Sequence, residues 1–121
     1  MVLENTLWVL VSFAEHDDLR HVLEGSQINV AFDAAQGKVS GSAGCNRYFA
    51  GFEVKGNALT IGMPATTRMM CRPAIMEQEQ MYLAALESAR TYEVTGGRLR
   101  VYCSGGIVLT FAAGPTPVSG E

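Results

Sequence analysis

The sequence predicts a small, mostly β fold of the α+β class: an antiparallel, barrel-like sheet of about eight short strands with one amphipathic helix over residues 73–90. Three observations predict it. Apolar residues recur with period two through most of the chain. Glycine-bearing turns separate these runs at short spacing. A single stretch, Pro73 to Arg90, has no Gly and no further Pro, and is rich in Ala, Leu, Met, Glu and Gln.

Leu7-Trp8-Val9-Leu10-Val11-Ser12-Phe13 reads as the first strand. Residues 14–26 are polar, with a helical turn expected around Leu19-Val22-Leu23 that ends at Gly25. Gln27 to Asp33 alternates, with Ile28, Val30 and Phe32 on one face. Gly37 turns the chain into Lys38-Val39-Ser40-Gly41. Tyr48 to Lys55 and Leu59-Thr60-Ile61 follow, joined through Gly56-Asn57. Arg98 to Cys103 and Ile107 to Phe111 form a last hairpin through Ser104-Gly105-Gly106. The octets Val54–Ile61 and Val94–Val101 share Val-x-Gly-x-x-Leu-x-[Ile/Val], which reads as two similar hairpins rather than a repeat. Residues 112–121 hold two Pro and two Gly and read as a flexible tail.

Pro73 suits the first position of the helix, because its missing N–H would be unpaired there anyway. At 100° per residue, Ile75, Met76, Tyr82, Leu83 and Leu86 share one arc of about 120°. Glu79 falls near the middle of that arc. A carboxylate in an apolar stripe needs hydrogen-bond donors or an opening to water, so Glu79 is expected to be buried and to accept from the turn around Gly44–Asn46 or from Arg47, Arg68 or Arg72.

Composition bounds the function. The 121 residues suit one domain spanning the chain, with a core over residues 6–111. Apolar residues make up 48%, which supports a packed core. The net charge of −3 and only two Lys, Lys38 and Lys55, argue against binding nucleic-acid backbones. No apolar run approaches the ~18 residues of a membrane span. The start, Met1-Val2-Leu3-Glu4-Asn5, has no basic region and no cleavage site. The expected compartment is therefore the cytoplasm, or the envelope if a signal segment has been removed.

Several motifs then occur in order. Trp8 lies in Leu7-Trp8-Val9-Leu10. Gly41-Ser42-Ala43-Gly44-Cys45-Asn46-Arg47-Tyr48-Phe49-Ala50-Gly51 gives G-x-x-G-C-N-x-Y-x-x-G. Thr66-Thr67-Arg68-Met69-Met70-Cys71 gives T-T-x-M-x-C, and Glu79-Gln80-Met81-Tyr82-Leu83-Ala84-Ala85-Leu86 gives E-x-x-[Phe/Tyr]-L-x-x-L. Tyr92, Gly97-Arg98-Leu99 and Leu109-Thr110-Phe111 complete the set. Over residues 6–111 the chain resembles the META domain, or HslJ-like, family. The resemblance implies a β-barrel-like fold with one helix, a bacterial origin, and commonly a stress-linked envelope protein or lipoprotein without an agreed catalytic activity. This chain departs from the pattern by lacking a lipid-attachment cysteine near its start and by adding Cys103.

Cys45 and Cys71 sit in two of these motifs and are expected close together, as a disulfide or as packed thiols. The competing reading is a redox pair, since Cys71 precedes a helix and Arg72. No C-x-x-C spacing occurs, which speaks against thioredoxin-type and Cys-only zinc chemistry. His16, Asp17, Asp18 and His21 imitate a metal cluster but read as a solvated loop. No G-x-S-x-G elbow or phosphate loop is present. Arg47, Arg68 and Arg72 form a candidate anion or carboxylate site, with solvent-facing Arg as the simpler reading. Trp8 is expected to plug one end of the core.

No catalytic, cofactor or metal site is therefore expected. The leading expectation is a non-enzymatic binding or interaction protein, more a monomer than an obligate oligomer, with an unspecified protein or small-molecule partner. The alternatives are a barrel carrying an apolar molecule or lipid, and a thiol-dependent redox protein.

Overall fold

Period-two alternation becomes alternating burial in the computed structural model, which describes residues 3–4, 6–15 and 18–114. The strands, in chain order, are β1 Leu7–Glu15, β2 Asp18–His21, β3 Asn29–Asp33, β4 Lys38–Ser42, β5 Arg47–Lys55, β6 Ala58–Ile61 and β7 Ala65–Thr66. The helix α1 follows at Pro73–Glu87, then β8 Ala89–Thr95, β9 Arg98–Cys103 and β10 Ile107–Ala113. Eight of the strands run in the order β10-β9-β8-β6-β5-β4-β3-β1, all antiparallel, and β10 pairs with β1 to close the barrel. β2 and β7 are additions outside that ring, on β1 and β5.

β1 is the hinge of the closure. Its first half pairs with β3, as in Trp8 opposite Val30, and its second half pairs with β2. The register against β10 slips between Leu10 and Ser12. Such a bulge bends a strand and increases its twist, which lets one strand serve two neighbours on the same side. The Leu10 N–H meanwhile reaches the Ile28 carbonyl at 2.8 Å.

Inward side chains fill the barrel. Trp8, Ile28, Val30, Val39, Tyr48, Leu59, Leu99, Val101, Leu109 and Phe111 are buried from every side. Trp8 lies wholly within this core and its indole N–H donates to the Leu3 carbonyl at 2.9 Å. α1 packs Tyr82, Ala85 and Leu86 onto the same cluster and touches β6, β9 and β10. The interior is thus solid, as small barrels of this strand number can be.

Four expectations need correction. The segment around Leu19 is the strand β2, not a helical turn. Its four residues are all exposed, so only backbone pairing with Ser12–Glu15 defines it and no apolar pattern signals it. The helix stops at Glu87 rather than Arg90: Ser88 turns back onto the Ala85 carbonyl, and Ala89 already pairs with Cys103. On α1, Leu83 and Met76 are only half-buried while Gln78 is buried. Ala112 and Ala113 belong to β10, opposite Val9 and Trp8, rather than to a tail; the rest of the expected tail, residues 115–121, lies outside the described residues. The two octets with the shared pattern are two hairpins, β5–β6 and β8–β9.

Candidate functional site

The G-x-x-G-C-N motif forms the link from β4 to β5, and its glycines are there for identifiable reasons. A Cβ on Gly41 would fall 2.2 Å from the Asn29 carbonyl oxygen, so the backbone of β4 lies against β3 with no room for a side chain. Gly44 holds φ at +118°, a conformation that L side chains rarely adopt. This turn aims the N–H groups of Cys45 and Asn46 at α1, where Glu79 is 2% exposed. One carboxylate oxygen accepts from Cys45 N at 3.0 Å and Asn46 N at 2.7 Å. The other accepts from Asn46 Nδ2 at 2.7 Å. Successive backbone N–H groups converging on one oxygen form an anion-binding concavity, and the anion here is the protein's own side chain.

Asn46 carries the connection outward. Its Oδ1 accepts from Met69 N at 2.6 Å and from Thr67 Oγ1 at 2.9 Å, while Nδ2 also donates to the Met69 carbonyl at 3.2 Å. Thr67 Oγ1 in turn accepts from Arg47 N at 3.1 Å, and Thr67 N donates to the Arg47 carbonyl at 3.0 Å. A disulfide joins Cys45 to Cys71 with the Cα atoms 6.1 Å apart. Residues 67–71 are therefore pinned at both ends to the turn, and through it to the helix. Cys103 is a free, buried thiol. Burial pushes it up to about 11, with a contact from Ser88 opposing.

Tyr48, Leu86 and Trp8 lie in the core, and Gly51 sits exposed in β5 opposite Lys38. The arginines do not serve Glu79. Arg47, Arg68 and Arg72 are exposed, and Glu79 is satisfied by neutral N–H donors instead. Desolvating a guanidinium would cost more than recruiting amides already fixed by the turn. Asp18 pairs with Arg20 at 3.1 Å and His21 lies exposed in β2. His16 and Asp17, the rest of the proposed metal-like group, lie outside the described residues.

Two polar features escaped the sequence. Gln78 accepts from Leu23 N at 2.8 Å and donates to Ser26 Oγ at 3.0 Å, tying the segment after β2 to α1. Tyr48 and Tyr82 share a hydrogen bond of 2.5 Å between their hydroxyls, and Tyr48 also donates to the Asn29 carbonyl at 2.8 Å. Burial raises both phenols well above the ordinary range. Gln78 carries a signal, as the polar neighbour of Glu79 on the same helix. The Tyr pair carries none, because two positions distant in the chain do not announce a hydrogen bond between their hydroxyls.

Among the described residues, no buried side-chain nitrogen or oxygen lacks a partner. An open cavity of about 240 Å³ lies between α1 and the barrel wall, lined by Phe13, Tyr82, Ala85, Ile107 and Leu109 among others. A second, of about 170 Å³, adjoins it across Phe13 and Met81 and reaches Arg20 and Leu23.

The architecture is shared. A solved NMR structure of a protein from Burkholderia xenovorans superposes with a TM-score of 0.80 at 29% identity, covering 93% of this chain and 83% of that one. A second NMR structure superposes at 0.70 with 24% identity over 93% of this chain and 96% of the other. A crystal structure of a DUF4847 family protein from Bacteroides vulgatus gives 0.65 at 15% identity, covering 92% and 94%. The last two show the fold alone. No curated protein matches the sequence. The META domain family model matches residues 1–115, and with nearly the whole chain inside that match, the chain belongs to the META domain family.

Proposed function

We propose that this chain is a non-catalytic binding domain of an oxidising compartment such as the bacterial cell envelope, and that its recognition surface is the face braced by the Cys45–Cys71 disulfide. The disulfide carries this reading. Such bonds persist where thiols are not kept reduced, and this one has an exposed Cys71 that a reducing cytoplasm would reach. The inventory of buried polar groups supports the non-catalytic part. Both oxygens of Glu79 and both polar atoms of Asn46 are occupied internally. A general acid or base needs an atom left over for substrate. A stress-linked role, implied by the family resemblance, belongs to the same proposal.

The compartment is tested on protein recovered from its native host with free thiols trapped by alkylation. Peptide mapping without reductant should return a Cys45–Cys71 linked peptide and an alkylated Cys103 after unfolding. Alkylation of all three cysteines would defeat the oxidising-compartment reading.

One observation favours a second reading, a carrier of a small apolar molecule. The barrel interior is filled, so a ligand would not sit there. The groove beside α1, of about 240 Å³ with its neighbour of about 170 Å³, is the site such a molecule would use, and together they reach the lower part of the size range of small-molecule sites. Native mass spectrometry of detergent-free protein should then show a bound adduct, and an adduct-free spectrum removes the carrier reading.

A further inference from the structure

The exposed apolar side chains of this protein are not scattered. Among the described residues seven large ones are exposed, and Phe49, Met63, Met69 and Met70 are four of them, with Met70 at 87% and Met63 at 81%. They lie on the outer side of β5 and on the segment leading to and following β7, since Phe49 pairs with Ala65 and Met69 is held by Asn46. Arg47, Arg68 and Arg72 lie on the same strand and segment, exposed and with no side-chain partner among the described residues. From the start of β5 to the residue before α1 the chain holds four basic side chains, Arg47, Lys55, Arg68 and Arg72, against one acidic, Glu53, in a chain of net charge −3. Three unpaired guanidinium groups thus share one strand and its following segment with the exposed methionines, in a protein whose net charge is negative.

We infer that this face binds an acidic peptide segment of a partner protein, one that carries apolar side chains between its carboxylates. The inference rests on the reading of this chain as a binding domain and names the partner's chemistry. Charge complementarity selects an acidic ligand, and guanidinium groups pair with carboxylates in a bidentate fashion. The methionines supply an apolar surface that adapts to varied side chains. Strand geometry selects a peptide over a lipid surface. β7 pairs with β5 alone among the described residues, so its far edge offers backbone groups that an extended peptide fills by strand addition and a bilayer does not. The segment is fixed before any partner arrives, by the disulfide at Cys71, by Asn46 at Met69 and by Arg47 at Thr67. Little ordering entropy remains to be lost on binding.

The test is titration of the isotope-labelled, disulfide-intact protein, followed by amide NMR. The probes are a capped octapeptide alternating Glu and Leu, the same peptide with Lys for Glu, and vesicles of equal parts phosphatidylcholine and phosphatidylglycerol. The Glu–Leu peptide should shift the amides of Phe49, Met63 and residues 65–72, while the Lys–Leu peptide leaves them in place. The double variant Arg68→Ala, Arg72→Ala should weaken that binding by about tenfold, as should raised salt. Arg68→Glu with Arg72→Glu should transfer preference to the Lys–Leu peptide. These residues are exposed, so the rest of the spectrum should be preserved in each variant. Shifts elsewhere, no shifts, or binding to vesicles but not to the peptide would each overturn the inference. The disulfide mapping is independent of this result, so failure here leaves the compartment reading to stand or fall separately.

Discussion

Glu79 and Asn46 are the two side chains on which the motif region depends, and their orientation follows from donors and acceptors alone. Met69 N and Thr67 Oγ1 require the Asn46 oxygen on their side, which leaves its NH₂ facing Glu79. Glu79→Gln should therefore destabilise the protein although it keeps the side chain's shape, because it turns one acceptor oxygen into a donor. If the Gln oxygen keeps the Cys45 and Asn46 N–H groups, its NH₂ meets the Asn46 NH₂, donor to donor. Flipping Asn46 moves the conflict to Met69 N. One buried donor is left unpaired either way, at about 1–3 kcal/mol. Urea unfolding would read the loss, and an unchanged midpoint would deny Glu79 its bracing role. The bracing disulfide is separately testable. Replacing Cys45 and Cys71 by Ser releases a loop with a sequence separation of 26, for which chain entropy gives roughly 3 kcal/mol. The double variant should melt at lower temperature and lose protection at Met69 before the barrel opens. Glu79 was legible in the sequence because a carboxylate inside an apolar arc has to be explained. Its donors were narrowed only to a turn or an arginine, since motif spacing does not say which group is already desolvated.

At the level of elements, legibility followed side-chain burial. β1, β3, β5, β6, β9 and β10 each place a buried side chain at alternate positions, and each has a period to be read. β2 and β7 bury none of their residues, so their existence is a matter of backbone pairing between segments distant or reversed in the chain. The end of α1 was misplaced for a related reason. Arg90 is a good helix former, but pairing of β8 with β9 overrides that local preference. Two substitutions separate packing from tethering on this helix. Leu86 is wholly buried against the barrel, so Leu86→Ala should cost about 2–5 kcal/mol. Gln78→Ala should cost less, about 1–2 kcal/mol, because it frees the Leu23 N–H and Ser26 hydroxyl near the surface. Its signature is local: hydrogen exchange should accelerate at Leu23 while core amides keep their protection. A uniform acceleration would mean that the segment after β2 and the barrel unfold as one unit.

The whole molecule is a filled barrel whose closure brings three weak acids into its interior, and this fixes its response to alkali. Cys103 faces inward from β9, Tyr48 from β5 and Tyr82 from α1, and the two phenols share one hydrogen bond. Burial raises all three, so the folded state holds their protons more tightly than the unfolded chain does. The sign follows from linkage: stability is fully present below the unfolded values and falls as pH rises through the folded ones, because unfolding then releases protons. For Cys103 the window runs from the unfolded 9.0 to about 11, a contribution on the order of 2 kcal/mol. The tyrosines extend the loss from their unfolded value of 10.0 upward. Unfolding free energy measured in urea should therefore be flat up to about pH 8.5 and decline above it. Cys103→Ala removes the earlier part of that decline at some cost in packing, and Tyr48→Phe removes a later part. The two effects should be distinct in pH although both side chains belong to the same core. An alkaline limb that begins only above pH 10 in the unmodified protein, and that Cys103→Ala leaves unmoved, would show that Cys103 titrates as a solvent-reached thiol.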